Sequence, residues 1–132
     1  MLDLSESSAV EDELEHIVEA YPLDEVLKEC SRIDTIKMDI EGAEARAWMG
    51  MKEIVQRFEP EIIFEFSPNL LRPISHIEPT TFLTKIMKTD YELYAIDNES
   101  GQLVTMEMPE MVMERWKRSG LTHIDLLAKP KA

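Results

Sequence analysis

The chain has 132 residues, enough for one domain with a real core and too few for two. Its formal net charge of −13 argues against nucleic-acid backbones and anionic membranes as partners, because both would repel it. The single cysteine, Cys30, excludes an intrachain disulfide and a cysteine-built metal centre; with no signal sequence and no apolar run of spanning length, a cytoplasmic setting is expected.

Residues 1–29 hold ten acidic residues against one base, Lys28, a net of −9 that leaves −4 for the other 103. That run reads as a solvated, flexible lead-in over 1–15, with an acidic interaction tail as the alternative. One α/β domain is expected over 16–132. Ile17–Tyr21 could form a short strand that Pro22 breaks. Leu23, Val26 and Leu27 at helical spacing predict a short helix ending near Cys30, with Asp24 and Glu25 at its positive end.

Residues 33–39 then alternate. Ile36, Met38 and Ile40 face one way and Thr35, Lys37 and Asp39 the other, which predicts a strand. Gly42 turns the chain, and a helix is predicted over 43–58 with Trp48, Met51, Val55 and Phe58 on one stripe. Gly50 inside that helix costs about 1 kcal/mol relative to alanine, so a bend or a close approach to a neighbouring strand is expected there.

Pro60 closes the connection to a second strand, Glu61–Phe66, whose Ile62, Phe64 and Phe66 share a face; strand, helix, strand of this length is a βαβ unit. Ser67–Pro79, with three prolines, is predicted as a long loop of the sort that forms lids and binding loops. A helix capped by Thr80 or Thr81 follows to about Lys88, then a strand at Tyr91–Ile96. Asp97–Gly101 has turn chemistry, and Leu103–Met106 can return as a hairpin arm. Pro109 opens a helix that stops near Gly120, and Thr122–Ala128 is the last strand. The order β-α-β-α-β-β-α-β predicts an α/β layered sheet with helices on its faces.

In open α/β sheets ligands bind beyond the carboxyl ends of the strands, which places the chemistry at Ile33–Glu44, Ile-Asp-Thr-Ile-Lys-Met-Asp-Ile-Glu-Gly-Ala-Glu. This segment closely resembles the signature of the FkbM-type methyltransferases. Tyr21–Leu27 resembles the family's segment before its fourth strand, Pro60–Glu65 its fifth strand, and Tyr91–Asp97 a later one, so that the resemblance runs from about Ile17 to Ala128. It implies a partial Rossmann-like class I methyltransferase sheet, mostly parallel with an antiparallel carboxyl-terminal strand, and S-adenosylmethionine as cofactor. In the family a glycine-rich turn after the first strand and an acidic residue after the second hold that cofactor. The four glycines here, at 42, 50, 101 and 120, build no such turn. The resemblance therefore implies the carboxyl-terminal portion of such an enzyme, as from a truncated or partial reading frame, and assigns no cofactor-binding residue. A shortened sheet leaves the strand at 33–39 without its usual neighbour, which predicts a homodimer through that edge.

Asp39, at the end of its strand, is the expected catalytic residue, touching substrate as general base or metal ligand, with capping of the next helix as the alternative. Glu41 and Gly42, in the turn itself, are assigned to substrate binding. Glu44 complements the positive end of the following helix, worth about 0.3–1 kcal/mol at an exposed site. Glu65, opposite in facing to Phe64 and Phe66, could converge with Asp39 to contact substrate or hold a divalent cation. An ordinary strand glutamate is the favoured alternative, and no metal ligand is assigned. His76 lies in the predicted loop, the right region for a substrate contact, against the commoner exposed loop histidine. His16 and His123 have no ligand-type neighbours in sequence and read as structural. By the family resemblance, these residues imply methylation of a small-molecule or sugar hydroxyl. A non-catalytic α/β interaction or assembly module derived from a methyltransferase is the rival.

Overall fold

The computed structural model describes residues 15–132, so the lead-in expected over 1–15 lies almost wholly outside the described residues. No strand forms at Ile17–Tyr21: the segment is irregular, with Ile17 99% and Val18 81% exposed. Two adjacent apolar residues among acids leave no alternating face to bury. Helix α1 is a single turn, Leu23–Val26, opening at Pro22.

Strand β1 spans Thr35–Met38, and its inward residue Met38 is buried. The helix predicted over 43–58 is two helices, α2 at Glu44–Met49 and α3 at Lys52–Phe58. They break at Gly50–Met51. The close approach at Gly50 is to Pro22 rather than to a strand, since an added Cβ would lie 3.1 Å from the Pro22 Cβ. Asp24 locks this corner. Its backbone N–H donates to the Gly50 carbonyl at 2.9 Å, and its carboxylate accepts from the N–H groups of Glu53 at 3.1 Å and Ile54 at 2.9 Å. These are orphan donors of the first turn of α3, which Met51 at the N-cap cannot satisfy. Asp24 thus caps α3 from a distance, in addition to lying in the first turn of its own helix.

Strand β2 is Glu61–Phe66, as predicted. The expected loop at Ser67–Pro79 is instead mostly helix α4, Pro68–Ser75. Its proline-rich composition misled: Pro68 stands at the start of the helix, where its fixed φ and missing N–H are an advantage, and Leu71 supplies a buried anchor. Helix α5, Pro79–Met87, opens at Glu78 with another proline in its first turn and no side-chain cap from Thr80 or Thr81. Strand β3 (Tyr91–Ile96) and strand β4 (Leu103–Met106) form the predicted hairpin. Its turn is held by Asp97, which accepts from the N–H of Ser100 at 2.9 Å, the Ser100 hydroxyl at 3.0 Å and the N–H of Glu99 at 3.1 Å. These bonds, led by the Ser100 N–H, hold the Asp97 carboxyl below its ordinary range. Helix α6 covers Pro109–Ser119 and stops at Gly120 with φ +66°, and strand β5 covers Ile124–Pro130.

The five strands form one mixed sheet in the order β1-β2-β5-β3-β4. The expectation of a mostly parallel sheet is corrected: β1 and β2 pair in parallel, while β2–β5, β5–β3 and β3–β4 are all antiparallel. Two of these pairs arise from the last strand, which is antiparallel as expected but inserts between β2 and β3, and the third is the β3–β4 hairpin. Strands β2 and β3 therefore point the same way without touching.

Ile62, Phe64 and Phe66 of β2 align with Ala128, Leu126 and Ile124 of β5, and Leu93 and Ala95 of β3 continue the same face. All are buried, in one cluster with Trp48, Met51, Ile54, Leu71, Phe82, Ile86 and Val112 from the helices. Full burial of a side chain such as Ile62 or Phe64 is worth about 1.5–3 kcal/mol. Phe64 meets Phe82 with ring centroids 5.8 Å apart, and Trp48 meets Tyr91 edge-on at 6.1 Å. The opposite face bears Lys37, Ile63, Glu65, Tyr94, Asp125 and Lys129, which are half-buried or exposed. The described helices thus bury one face, where sequence predicted helices on both. Among the described residues, no helix is long and apolar enough to cross a membrane.

Candidate active site

The carboxyl ends of β1 and β2 and the start of β5 meet at one edge of the sheet, because β5 runs antiparallel to β2. Parallel register sets Met38 beside Phe64, so the next residues, Asp39 and Glu65, emerge side by side. Antiparallel register sets Glu65 directly opposite Asp125. His123 lies two residues earlier on β5's side of this edge. The result is a cleft of about 280 Å³ lined by Asp39, Glu41, Gly42, Glu44, Glu65 and His123, with Ser67, Leu70 and Thr122 completing the wall.

The turn that delivers the acids follows from local backbone geometry. Ile40 to Ala43 closes with a 3.2 Å bond from the Ala43 N–H to the Ile40 carbonyl, and Glu41 and Gly42 take φ +53° and +97°. Glycine tolerates this; Glu41 does so at about 1–2 kcal/mol. A Cβ on residue 42 would also stand 2.6 Å from the Leu70 carbonyl oxygen, so α4 can pack on the turn only against glycine. The Ser75 hydroxyl then donates to the Gly42 carbonyl at 2.5 Å. Gly42 lines the cleft, and the geometry accounts for a glycine there through this packing.

Asp39 and Glu41 are exposed, Glu65 is half-buried, and one carboxylate oxygen from each lies within 4.8 Å of the others. The convergence of Asp39 with Glu65, one of two alternatives open in the sequence, is present. Burial, followed by hydrogen bonding with Asp39, holds the Glu65 carboxyl above its usual range; the Asp39 and Asp125 charges act in the same direction and His123 against them.

Glu44 is not the exposed helix-end acid that sequence suggested. It is 2% exposed, and its Oε1 accepts the Ile40 N–H at 3.2 Å, bracing the acidic turn from inside. It remains in the first turn of α2, where its charge suits the helix dipole.

His123 overturns its reading as a structural histidine without ligand-type neighbours. Its Nε2 lies 3.3 Å from Glu65 Oε1 and 3.9 Å from Asp125 Oδ1. The loop before it is fixed at Thr122, whose carbonyl accepts from the Ser67 hydroxyl at 3.0 Å and from Trp116 Nε1 at 3.2 Å. Only the antiparallel placement of β5 makes His123 part of the site. Its sequence neighbour Asp125 was the sole local signal.

His76 is not part of the cleft. The formation of α4 puts it at that helix's C-cap, exposed, with φ +53° and its N–H donating to the Arg72 carbonyl at 3.0 Å. Helix α4 does contribute Leu70 to the cleft wall, with Ser67 just before it.

The methyltransferase FkbM domain profile matches residues 2–100. No curated protein and no solved structure matches the chain. The matched region holds Asp39, Glu41, Gly42, Glu44 and Glu65 but stops short of His123, whose place in the cleft rests on geometry alone, and of Asp125 beside it. A match through most of the chain, including the strand, turn and helix that build the acidic edge, makes this protein a member of the FkbM methyltransferase family.

Proposed function

We propose that the acidic cleft is the acceptor side of an S-adenosylmethionine-dependent O-methyltransferase acting on a hydroxyl of a small molecule or sugar. The carrying observation is the meeting of Asp39, Glu41 and Glu65 at the ligand-binding edge of a chain with the FkbM profile. Bound S-adenosylmethionine would supply the methyl group. The described residues do not fit that molecule by themselves: the cleft is smaller than the usual range for a ligand of its size, roughly 300–1,000 Å³, and four carboxylates line it. None of the four glycines builds a cradle; Gly42 packs on Leu70, Gly50 on Pro22, and Gly101 and Gly120 stand in open turns. No step is therefore routed through the cofactor.

The cleft's own residues suit the acceptor. Asp39 is exposed at the cleft and can accept a hydrogen bond from an acceptor hydroxyl, raising the nucleophilicity of its oxygen and taking its proton. Glu41, raised from the turn by its left-handed backbone, offers a second contact that fixes the acceptor's orientation. The acidity of the wall favours a neutral or cationic acceptor over a phosphorylated one, and a cytoplasmic setting belongs to the same reading.

The test is transfer of labelled methyl from S-adenosylmethionine to a panel of hydroxylated acceptors, for the wild type and Asp39→Asn. The variant is expected to lose roughly 10²- to 10⁴-fold in turnover with an unchanged circular dichroism spectrum. Unchanged turnover would remove Asp39 from the mechanism. The reading as a non-catalytic module would prevail if a folded sample neither methylated any acceptor nor took up S-adenosylhomocysteine in isothermal titration.

A further inference from the structure

We propose that Glu65, His123 and Asp125 form a binding site for a divalent ion of the first transition row, of the Mn²⁺ to Zn²⁺ type. The register creates the site. Glu65 and Asp125 are directly opposed across β2 and β5, an arrangement of like charges that destabilises a sheet unless something lies between them. His123, two residues before Asp125, brings an imidazole nitrogen to the same point.

The distances suit a metal. Ligand bonds of about 2.0–2.2 Å place neighbouring donors ~3.4 Å apart in a tetrahedron and at most ~4.2 Å apart across an octahedron. The separations of 3.3 Å and 3.9 Å from His123 Nε2 to the two carboxylates fall inside that window, and the three donors all lie within 4.8 Å of one another. Small side-chain rotations suffice to close such a set.

The surroundings supply a second, independent argument. The cleft wall contains Asp39, Glu41, Glu44 and Glu65 and no lysine or arginine. Glu44, 2% exposed and holding the Ile40 N–H through its Oε1, adds its negative charge to this wall. A wall of carboxylates with no base beside it favours a cation. Donor chemistry narrows the class. An imidazole with two carboxylates suits a borderline ion, whereas Mg²⁺ and Ca²⁺ prefer oxygen alone.

The inference concerns the cleft assigned above to the acceptor, but it rests on donor geometry rather than on methyl transfer. Its readout is ion binding. A folded protein that binds the ion and transfers no methyl group would overturn the functional reading alone.

The experiment is isothermal titration of Zn²⁺ and of Mn²⁺ into the full chain, with the Co²⁺ visible spectrum as a probe of nitrogen ligation. One ion per chain is expected, with affinity at least ~10-fold weaker in His123→Gln and in Asp125→Asn, and with the Co²⁺ bands altered in His123→Gln. His123 and Asp125 are partly exposed, so both variants should fold, which circular dichroism checks. Absence of saturable binding by the folded wild type would overturn the proposal. So would isotherms that both variants leave unchanged, since the ion would then sit among other acids.

Discussion

Gly42 and Glu44 illustrate how much single positions in the acidic turn are constrained. The first has Leu70 pressed against the space a side chain would fill, and the second is enclosed by the turn it braces. Asp39, Glu41 and Glu65 were legible as site candidates because a strand end followed by an acidic, glycine-containing turn is a local pattern. His123 was not legible, because its partner Glu65 is far away in sequence and no local spacing encodes their meeting. His76 stands outside the cleft for a related reason: its expected place followed from a loop that is in fact mostly helix. Away from the cleft, Tyr91 is a buried residue whose hydroxyl donates to the Pro60 carbonyl at 2.7 Å. Burial, with a smaller push from Glu59, raises its phenol to about 12. The folded value lies above the unfolded value of about 10, so stability from the neutral phenol is full below pH ~10 and is lost as pH rises toward about 12. Tyr91→Phe is expected to cost about 1 kcal/mol at pH 8 in urea unfolding, and that gap should narrow at pH 11. A gap that stays constant between the two pH values would show that the phenol does not titrate as its burial requires.

At the scale of elements, strands were easier to read than helices. The alternation of Ile62, Phe64 and Phe66 is unambiguous over six residues, and β3, its turn and β4 fall where composition places them. The helices depended on contacts that sequence does not display. The run from residue 43 to 58 has a continuous apolar stripe, yet the chain breaks it at Gly50–Met51 so that Pro22 can approach and Asp24 can reach the start of α3. A cap supplied from nearly thirty residues away has no signature in the helix it serves. Asp24→Ala should therefore lower stability by about 0.5–2 kcal/mol, measured as a shift in urea midpoint, although the residue lies outside α3. A shift within error would mean that the break is held by Gly50 and Pro22 alone. Helix α4 makes the converse point: three prolines suggested a loop, but proline is at home in a helix's first turn, and Leu71 gives the segment something to bury.

At the scale of the whole molecule, β1 is an edge strand, and among the described residues nothing pairs beyond it. Its free N–H and C=O groups offer a template for a second copy, and static light scattering is expected to report twice the chain mass of 15.3 kDa. A monodisperse monomer would remove the homodimer from consideration. The sequence by itself determined the α/β class, most element positions, the acidic turn after β1 and the family resemblance. Each of these is carried by the period of side chains along one element or by the chemistry of one turn. The tertiary structure alone decided the insertion of β5 between β2 and β3, the burial of a single sheet face, the breaking of the long helix, and the arrival of His123 and Asp125 beside Glu65. Those outcomes depend on the pairing of strands distant in sequence, and such pairing is selected by the packing of the whole core rather than by any one segment.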